Sequence, residues 1–550
     1  MPVPAPAARP ARQPRSRLAA VLADPRRVLL VAAVLVGFAA CVDVLHDPDL
    51  WWHLRLGRWI LDHGQVPHAE LFSFTARGNH MVAHEWGSEI LFNALSGLGG
   101  LLLVAVVMGL VAWSGLVALA LRARARGAGA VAVAVAVLLG ARAMEPVLGT
   151  RPQVITVALV CWTLLVAERH VHPRADARPL GGPPPTPSAA AGVRPADSVP
   201  PGQGGRWIWV LPPIGLGWAN LHGAVVLGLA ALAAVAGLEA VRRLLPRLAG
   251  PGAVAPWRRI GSLGLATALM AAVGCLNPNG PGLYRYVIET SGSERAKPIT
   301  EWHAPDFHDP SNLGLLILLV SFPLLVALGG RLNLRDLVMS LGGFAAALLA
   351  VRNTSLAVAL ALPAWALMLQ QVLDRRRGTR ASAGSRRPAR TVQRPAVMFG
   401  GVIVALALAV DGMVVARAAQ DASPGGIASV YPACAAQTLR STSGVRIVAS
   451  YYVSGYLIEQ LWPEGRVFLY GESASLGQRV FDDYERILAG GPRALAVLSS
   501  YGANAVLIGP GALHDALASS TDWRAVHTWP VDGTLFAHPD LAVTLHAASC

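Results

Sequence analysis

Lysine is almost missing from these 550 residues. Lys297 stands alone among 46 basic side chains, and the rest are arginine. Charged residues of both signs make up only 14% of the chain against 54% hydrophobic, and mean hydropathy is +0.47. So little charge excludes an ordinary soluble globular protein, in which about a quarter of the residues are charged. The net charge of +14 would suit nucleic acid if it formed one basic face. The arginines instead gather between apolar runs, as positive residues do on the cytoplasmic side of a membrane, so no nucleic-acid partner is expected. Cysteine is scarce as well. Cys41, Cys161 and Cys275 fall in apolar runs and read as small packing side chains, which leaves Cys434 and Cys550 for any disulfide outside the cell.

What the chain has in place of charge is a series of apolar stretches near the roughly 20 residues that cross a bilayer core. Eleven spans are expected, at about 28–45, 101–121, 128–143, 154–166, 207–219, 224–241, 261–276, 313–329, 337–351, 355–372 and 396–416. Residues 1–27 read as a disordered basic arm, and 168–206 as a Pro- and Gly-rich linker that cannot bury a core. With the N-terminus inside, the loops that alternate to the cytoplasm hold 29 of the 46 basic residues. The same alternation places 46–89, 277–310 and the C-terminal region together on the outer face. The expected class is a multi-pass α-helical membrane protein, 28–416, in a bacterial inner membrane with a cytoplasmic N-terminus. From about Asp421 to residue 550, short β-type runs (446–450, 466–470, 504–508) alternate with helical segments, which predicts a small extracytoplasmic α/β domain. That region lacks a Gly-rich phosphate loop, a nucleophile elbow and zinc spacing.

Polar chemistry is concentrated in 46–89, which holds six of the fifteen histidines. Asp47 and Asp49, in HDPDLWWH, follow the first span, where paired carboxylates can deprotonate a hydroxyl or hold a divalent cation. Asp49 also suits the N-cap of the helix starting LWWHLRLGRWIL, so Asp47 is the stronger catalytic candidate. Trp52, Leu56, Trp59 and Ile60 recur at helical spacing. That makes an interfacial helix in the headgroup zone, and the alternative is an indole stacked on a sugar. Glu85 and Glu89, four apart after His84, share a helix face and could join the Asp pair around a metal or simply tether the loop. Arg151 (GTRPQ), His222 (NLHG) and Arg352 (VRNTS) stand at outer span ends. There a guanidinium can bind a lipid phosphate through two parallel hydrogen bonds or merely snorkel. In PITEWHAPDFHDP, Glu301, His303, Asp306, His308 and Asp309 fall on the same outer face as Asp47.

A first span followed by D-x-D with WWHL, G-x-W-I, G-x-V-P, FSFT and HEW, then RPQ, NLHG, LNPNGPGLY, EWHAPDF and RNT in order, resembles bacterial members of the GT-C glycosyltransferase superfamily. The likeness covers about 28–540. Protein mannosyltransferases, oligosaccharyltransferases and aminoarabinose transferases belong to this group. The resemblance implies transfer, with inversion, of a sugar from a polyprenyl phosphate to an extracytoplasmic glycan, lipid or protein. It places the first-loop base or metal ligand on Asp47 or Asp49 without separating them, with Glu85 beside them. Lipid phosphate would be met by Arg151, His222 and Arg352; the residues themselves, apart from the resemblance, add Glu301, His303 and Trp52 as substrate-site candidates. A divalent cation (Mg or Mn) is left open, since a second acidic pair of the oligosaccharyltransferase type is not matched. LYGES at 469–473 stands where the resemblance expects an Asp-Gly-Arg-like turn. The competing class is a transporter or an envelope-assembly scaffold. A transporter would carry ionisable groups near span midpoints, and here Asp43 and Asp411 lie near span ends.

Overall fold

The computed structural model describes residues 17–45, 47–172, 205–291, 300–381 and 394–548. Most of the expected N-terminal arm and of the 168–206 linker, with His46, Lys297 and Cys550, lies outside the described residues.

The chain folds first into helices. They are α1 (Arg17–Leu22), α2 (Pro25–Ala39), α3 (Leu50–His63), α4 (Trp86–Ala125), α5 (Ala130–Met144), α6 (Gln153–Val171) and α7 (Leu211–Leu221). After them come α8 (Val225–Leu244), α9 (Trp257–Val273), α10 (Gly282–Ser291), α11 (Leu313–Ala327), α12 (Leu334–Leu349), α13 (Thr354–Ala381) and α14 (Arg394–Asp421). Each of the eleven apolar stretches is a helix. Among the described residues seven helices are long and apolar enough to cross a membrane: α4, α5, α6, α8, α11, α13 and α14. α5 and α11 reach that length together with the 3-10 turns beside them (Ala130–Val147 and Pro310–Ala327), whereas α2, α7, α9 and α12 are apolar but fall short of it. This is a multi-pass helical membrane protein with a small C-terminal sheet.

Two details of the helices position the site. α4 joins an amphipathic piece to an apolar one through Gly99 and Gly100, and Gly100 takes φ +67°, a conformation that glycine alone adopts without a Cβ penalty. The amphipathic piece then lies against α3, where a Cβ at Gly57 would fall 2.0 Å from the Glu89 carbonyl oxygen. Only a glycine lets the two backbones come so close.

The opposite end of the bundle is tied by buried charge. Arg122 Nη2 bonds Glu168 Oε1 at 2.7 Å, and Arg126 pairs with both Glu168 and Asp336. Arg335 reaches Asp336 at 3.1 Å and Glu239 at 3.2 Å, and Arg242 closes on Glu239 at 2.7 Å. Four helices (α4 with its C-cap Arg126, α6, α8 and α12) are thereby cross-linked by alternating charges. The arginines of the RARAR run at 122–126 are thus partly interior. Arg122 is only 2% exposed because its partners sit on neighbouring helices.

After α14 the chain forms a five-stranded sheet from β1 (Val445–Val448), β2 (Gly465–Val467), β3 (Ala505–Ile508), β4 (Arg524–Trp529) and β5 (Gly533–Ala537), in the order β2-β1-β3-β5-β4. β1 pairs in parallel with β2 and β3, while β5 is antiparallel to β3 and β4. The first three strands and the helices Gln478–Leu488 and Gly491–Ser500 fall where the sequence predicts them. The β4–β5 hairpin was not expected, although Asp532-Gly533 between two β-type runs is a hairpin signal. Cys434 is held in a disulfide.

The first loop completes this sheet. Ser73 bridges Val467 in parallel, Phe74 N donates to Val467 O at 3.1 Å, and Val467 N donates to Phe72 O at 3.2 Å. Glu70 holds the FSF turn for that pairing, accepting from Phe72 N, Ser73 N and Ser73 Oγ at 2.7–2.9 Å. The free edge of β2 is therefore covered from within the chain.

Candidate functional site

Four turns converge where the first loop, the 300–302 turn and two helix starts meet. Asp47 follows α2, Arg151 precedes α6, Glu301 lies in a short 3-10 turn (Thr300–Trp302), and Arg352 precedes α13. Their side chains form one chain of alternating charge. Arg151 Nε lies 3.1 Å from Asp47 Oδ2, and Arg151 Nη1 lies 2.7 Å from Glu301 Oε2. Arg352 Nη1 lies 3.7 Å from Glu301 Oε1, and its guanidinium sits 4.1 Å from the centre of the Trp302 ring. Burial opposes ionisation of Glu301, but Arg151 and Arg352 outweigh it and hold the carboxyl below its usual value.

Asp49 has a different setting. It occupies the N-cap position of α3 without a capping bond, and its Oδ1 accepts the Trp52 indole N–H at 3.0 Å. Asp49 N in turn donates to Asp47 Oδ1 at 2.9 Å. Burial, then the neighbouring Asp47, push the Asp49 carboxyl up to about 8. Burial also raises Asp47, against the pull of Arg151. The LYGES turn presses on this pair. A Cβ at Gly471 would fall 1.9 Å from Asp49 Oδ1 and 2.8 Å from Trp52 Nε1. Tyr451, at the start of α15 (Tyr451–Leu461), faces the same acids; burial, then Asp49, Glu301 and Asp47, push its phenol well above its ordinary value.

A second cluster lies deeper. His222 Nδ1 accepts from Ala224 N at 3.3 Å and sits 2.8 Å from Thr156 Oγ1, which receives the Trp218 indole N–H at 2.8 Å. With Nδ1 accepting, the proton belongs on Nε2, which donates to Glu85 Oε1 at 3.0 Å. Glu85 also faces His53 and His84, each at 3.6 Å. Burial opposes its ionisation, yet His84, His222 and His53 hold it below the usual carboxylate range. Burial lowers His53 to about 4.

A candidate metal-ligand group lies here. His53, Glu85 and Glu89 offer ligand atoms within 4.8 Å of one another, the one such group among the described residues. Glu89 Oε2 is buried without a hydrogen-bond partner, as an oxygen facing a cation would be. Asp47 Oδ2 is also buried without a hydrogen-bond partner and faces Arg151 Nε at 3.1 Å, so its nearest counter-charge is a guanidinium. Glu85 and Glu89 do share a face, and His53, which the sequence reading passed over, completes the group.

Other expectations are redrawn. Trp51 and Trp52 face protein and not lipid: they are 5% and 4% exposed. Tyr431 and Tyr456 meet Trp51 edge-on at 5.2 and 4.9 Å, and Tyr470 meets Trp52 at 5.6 Å. The apolar face of α3 is covered by protein, and the Trp52 ring is enclosed, with its N–H on Asp49. His303 meets this region through its backbone carbonyl, which accepts from Val351 N at 2.9 Å. Asp306, His308 and Asp309 stay exposed, and Asp309 caps a turn through Ser311 N.

No family model and no curated protein matches the sequence. Solved structures do match by shape. The archaeal oligosaccharyltransferase AglB of Archaeoglobus fulgidus, in complex with an inhibitory peptide and a dolichol-phosphate, superposes with a TM-score of 0.52 at 12% identity, over 94% of this chain and 74% of that one. ArnT of Cupriavidus metallidurans in the apo state gives 0.50 at 16% identity, over 95% of this chain and 99% of that one. The chain has the GT-C fold. Within the GT-C fold the four converging turns all belong to the end of the bundle that carries the sheet, and the buried ionic lattice belongs to the other.

Proposed function

We propose that this GT-C chain moves a glycosyl group from a polyprenyl-phosphate-linked donor to an acceptor on the outer face of a bacterial inner membrane. The observation that carries the reading is the run Asp47–Arg151–Glu301–Arg352, which sets guanidinium groups beside carboxylates at one end of the bundle. AglB is solved with a dolichol-phosphate and a peptide, which supports a lipid-linked partner of this kind.

In a single displacement, the acceptor hydroxyl oxygen forms its bond to the anomeric carbon as the bond to the phosphate oxygen breaks, which inverts that carbon. The bonding electron pair leaves on polyprenyl phosphate, whose charge rises as it departs. Arg151 and Arg352 stand where that charge develops, with His222 Nε2–H close by on Glu85. The hydroxyl proton goes to a carboxylate. Asp47 is committed to Arg151, so we assign the base to Asp49, which is half-buried and has a carboxyl near 8, matched to abstraction at mild alkaline pH. Asp47 then orients Arg151. A divalent cation, if bound by His53, Glu85 and Glu89, would supply positive charge beside the same cleft.

The test uses the full chain in nanodiscs. Arg151→Ala is expected to weaken radiolabelled polyprenyl phosphate binding and to lower transfer by about 10²–10³-fold, the scale of one lost charge-stabilising donor. Unchanged polyprenyl phosphate binding in Arg151→Ala and Arg352→Ala would sink the donor assignment and leave a transporter or scaffold in its place.

A further inference from the structure

Beside the charged run lies an open cavity of about 760 Å³, within the roughly 300–1,000 Å³ of small-ligand sites. The first loop, α10 and the 474–475 turn wall it. Trp302 is the partition: the indole that carries the Arg352 guanidinium also lines this space. Tyr286 makes a second link. It lines the cavity, and its ring lies 5.0 Å from that of His84, the neighbour of Glu85.

The lining is electrically self-contained. Its Arg and Glu, Arg285 and Glu289, bond each other at 2.7 Å, so neither an anion nor a cation meets an unmatched opposite charge from them. What is left includes amide and imidazole groups, such as Asn279 and His80, beside the two aromatic rings. An uncharged ring that bears hydroxyls and one apolar face satisfies that mixture. An anionic lipid headgroup is better served on the far side of Trp302, where Arg151 and Arg352 stand.

We infer that this cavity holds the body of a neutral oligosaccharide acceptor, whose terminal hydroxyl passes Trp302 to reach the carboxylates. The space is larger than one sugar ring fills, which argues for a chain of rings and so for the acceptor over the sugar of the donor. The inference rests on the transferase reading above and names its acceptor class.

Gly282 supplies the test, because it lines the cavity and a Cβ there meets nothing within 4 Å. Gly282→Trp therefore sends its side chain from an unobstructed Cβ on the cavity wall. Full-length chain in nanodiscs is titrated with uncharged tetrasaccharides of glucose, mannose, galactose and arabinose, with a uronic-acid tetrasaccharide as the acidic probe, and with radiolabelled polyprenyl phosphate. At least one uncharged probe should bind, and Gly282→Trp should weaken it about tenfold or more while polyprenyl phosphate binding stays within about twofold. Three results overturn the inference: no uncharged probe binds, the acidic probe binds better than all of them, or the variant loses polyprenyl phosphate in parallel. The last would make the cavity part of the donor site. Failure of the transferase reading is separate, since it shows as intact polyprenyl phosphate binding in Arg151→Ala.

Discussion

Two aspartates two residues apart have been given opposite work by their surroundings. Asp47 faces a guanidinium, and Asp49 faces an indole N–H and a glycine turn. Asp49→Asn should therefore reduce kcat by about 10²–10⁴-fold, the usual reach of a general base, with polyprenyl phosphate affinity kept; Asp47→Asn should also weaken that affinity, through Arg151. Steady-state kinetics on both variants separates the roles, and equal loss of affinity in the two would overturn the division. The pH dependence follows from the same carboxyl. Only its ionised form accepts a proton, so kcat/KM should climb as pH rises through about 8 and then level. Stability runs the other way. A carboxyl raised from 3.8 to about 8 by burial contributes stability fully below 3.8, and that contribution is lost as pH rises through about 8. Melting curves should then show Asp49→Asn gaining on the parent chain at about pH 9 and not at about pH 4. At this scale the sequence was readable for acids and arginines, because charge among apolar spans is conspicuous. It was not readable for the tryptophans, whose cover arrives from Tyr431, Tyr456 and Tyr470.

Between elements, glycine decides how closely the site is drawn together. Gly57 lets α3 settle on α4, and Gly471 lets the turn after β2 settle on α3. Gly471→Ala should push Asp49 and Trp52 aside, so that transfer falls by about tenfold or more while the helical circular dichroism is unchanged. Gly57→Ala strains a backbone contact instead and should cost about 1–3 kcal/mol, as overpacking does, seen as a lower Tm in detergent. If Gly471→Ala keeps full activity, the turn is only a neighbour of the site. Helices were legible one by one, since an apolar run of bilayer length has few other uses. The contacts that make a site of them were not, because Phe74 pairs with Val467, and Arg55 with Glu459, 404 residues further on. No local period in the sequence records such a partner. The same holds for His53, an unremarkable residue until Glu85 and Glu89 are placed beside it.

The whole molecule has two polar ends with different purposes. At the end away from the sheet, Arg335 serves Glu239 and Asp336 at once. Arg335→Met leaves two buried carboxylates short of a partner and should cost about 3–5 kcal/mol, read as a lower Tm with the substrate affinities of the surviving protein unchanged. A loss of polyprenyl phosphate affinity instead would show the two ends to be coupled. At the other end, the first loop is a strand partner of a sheet that is made only after the helices. At roughly 5–20 residues per second of synthesis, the loop carrying Asp49 waits on the order of tens of seconds for β2 and Gly471 to follow it. Until they arrive, its FSFT edge is an unpaired β-ribbon on a membrane surface, and the acid it carries is neither buried nor aimed. The protein therefore has a built-in order of assembly, in which anchoring in the lipid precedes the burial and aiming of Asp49.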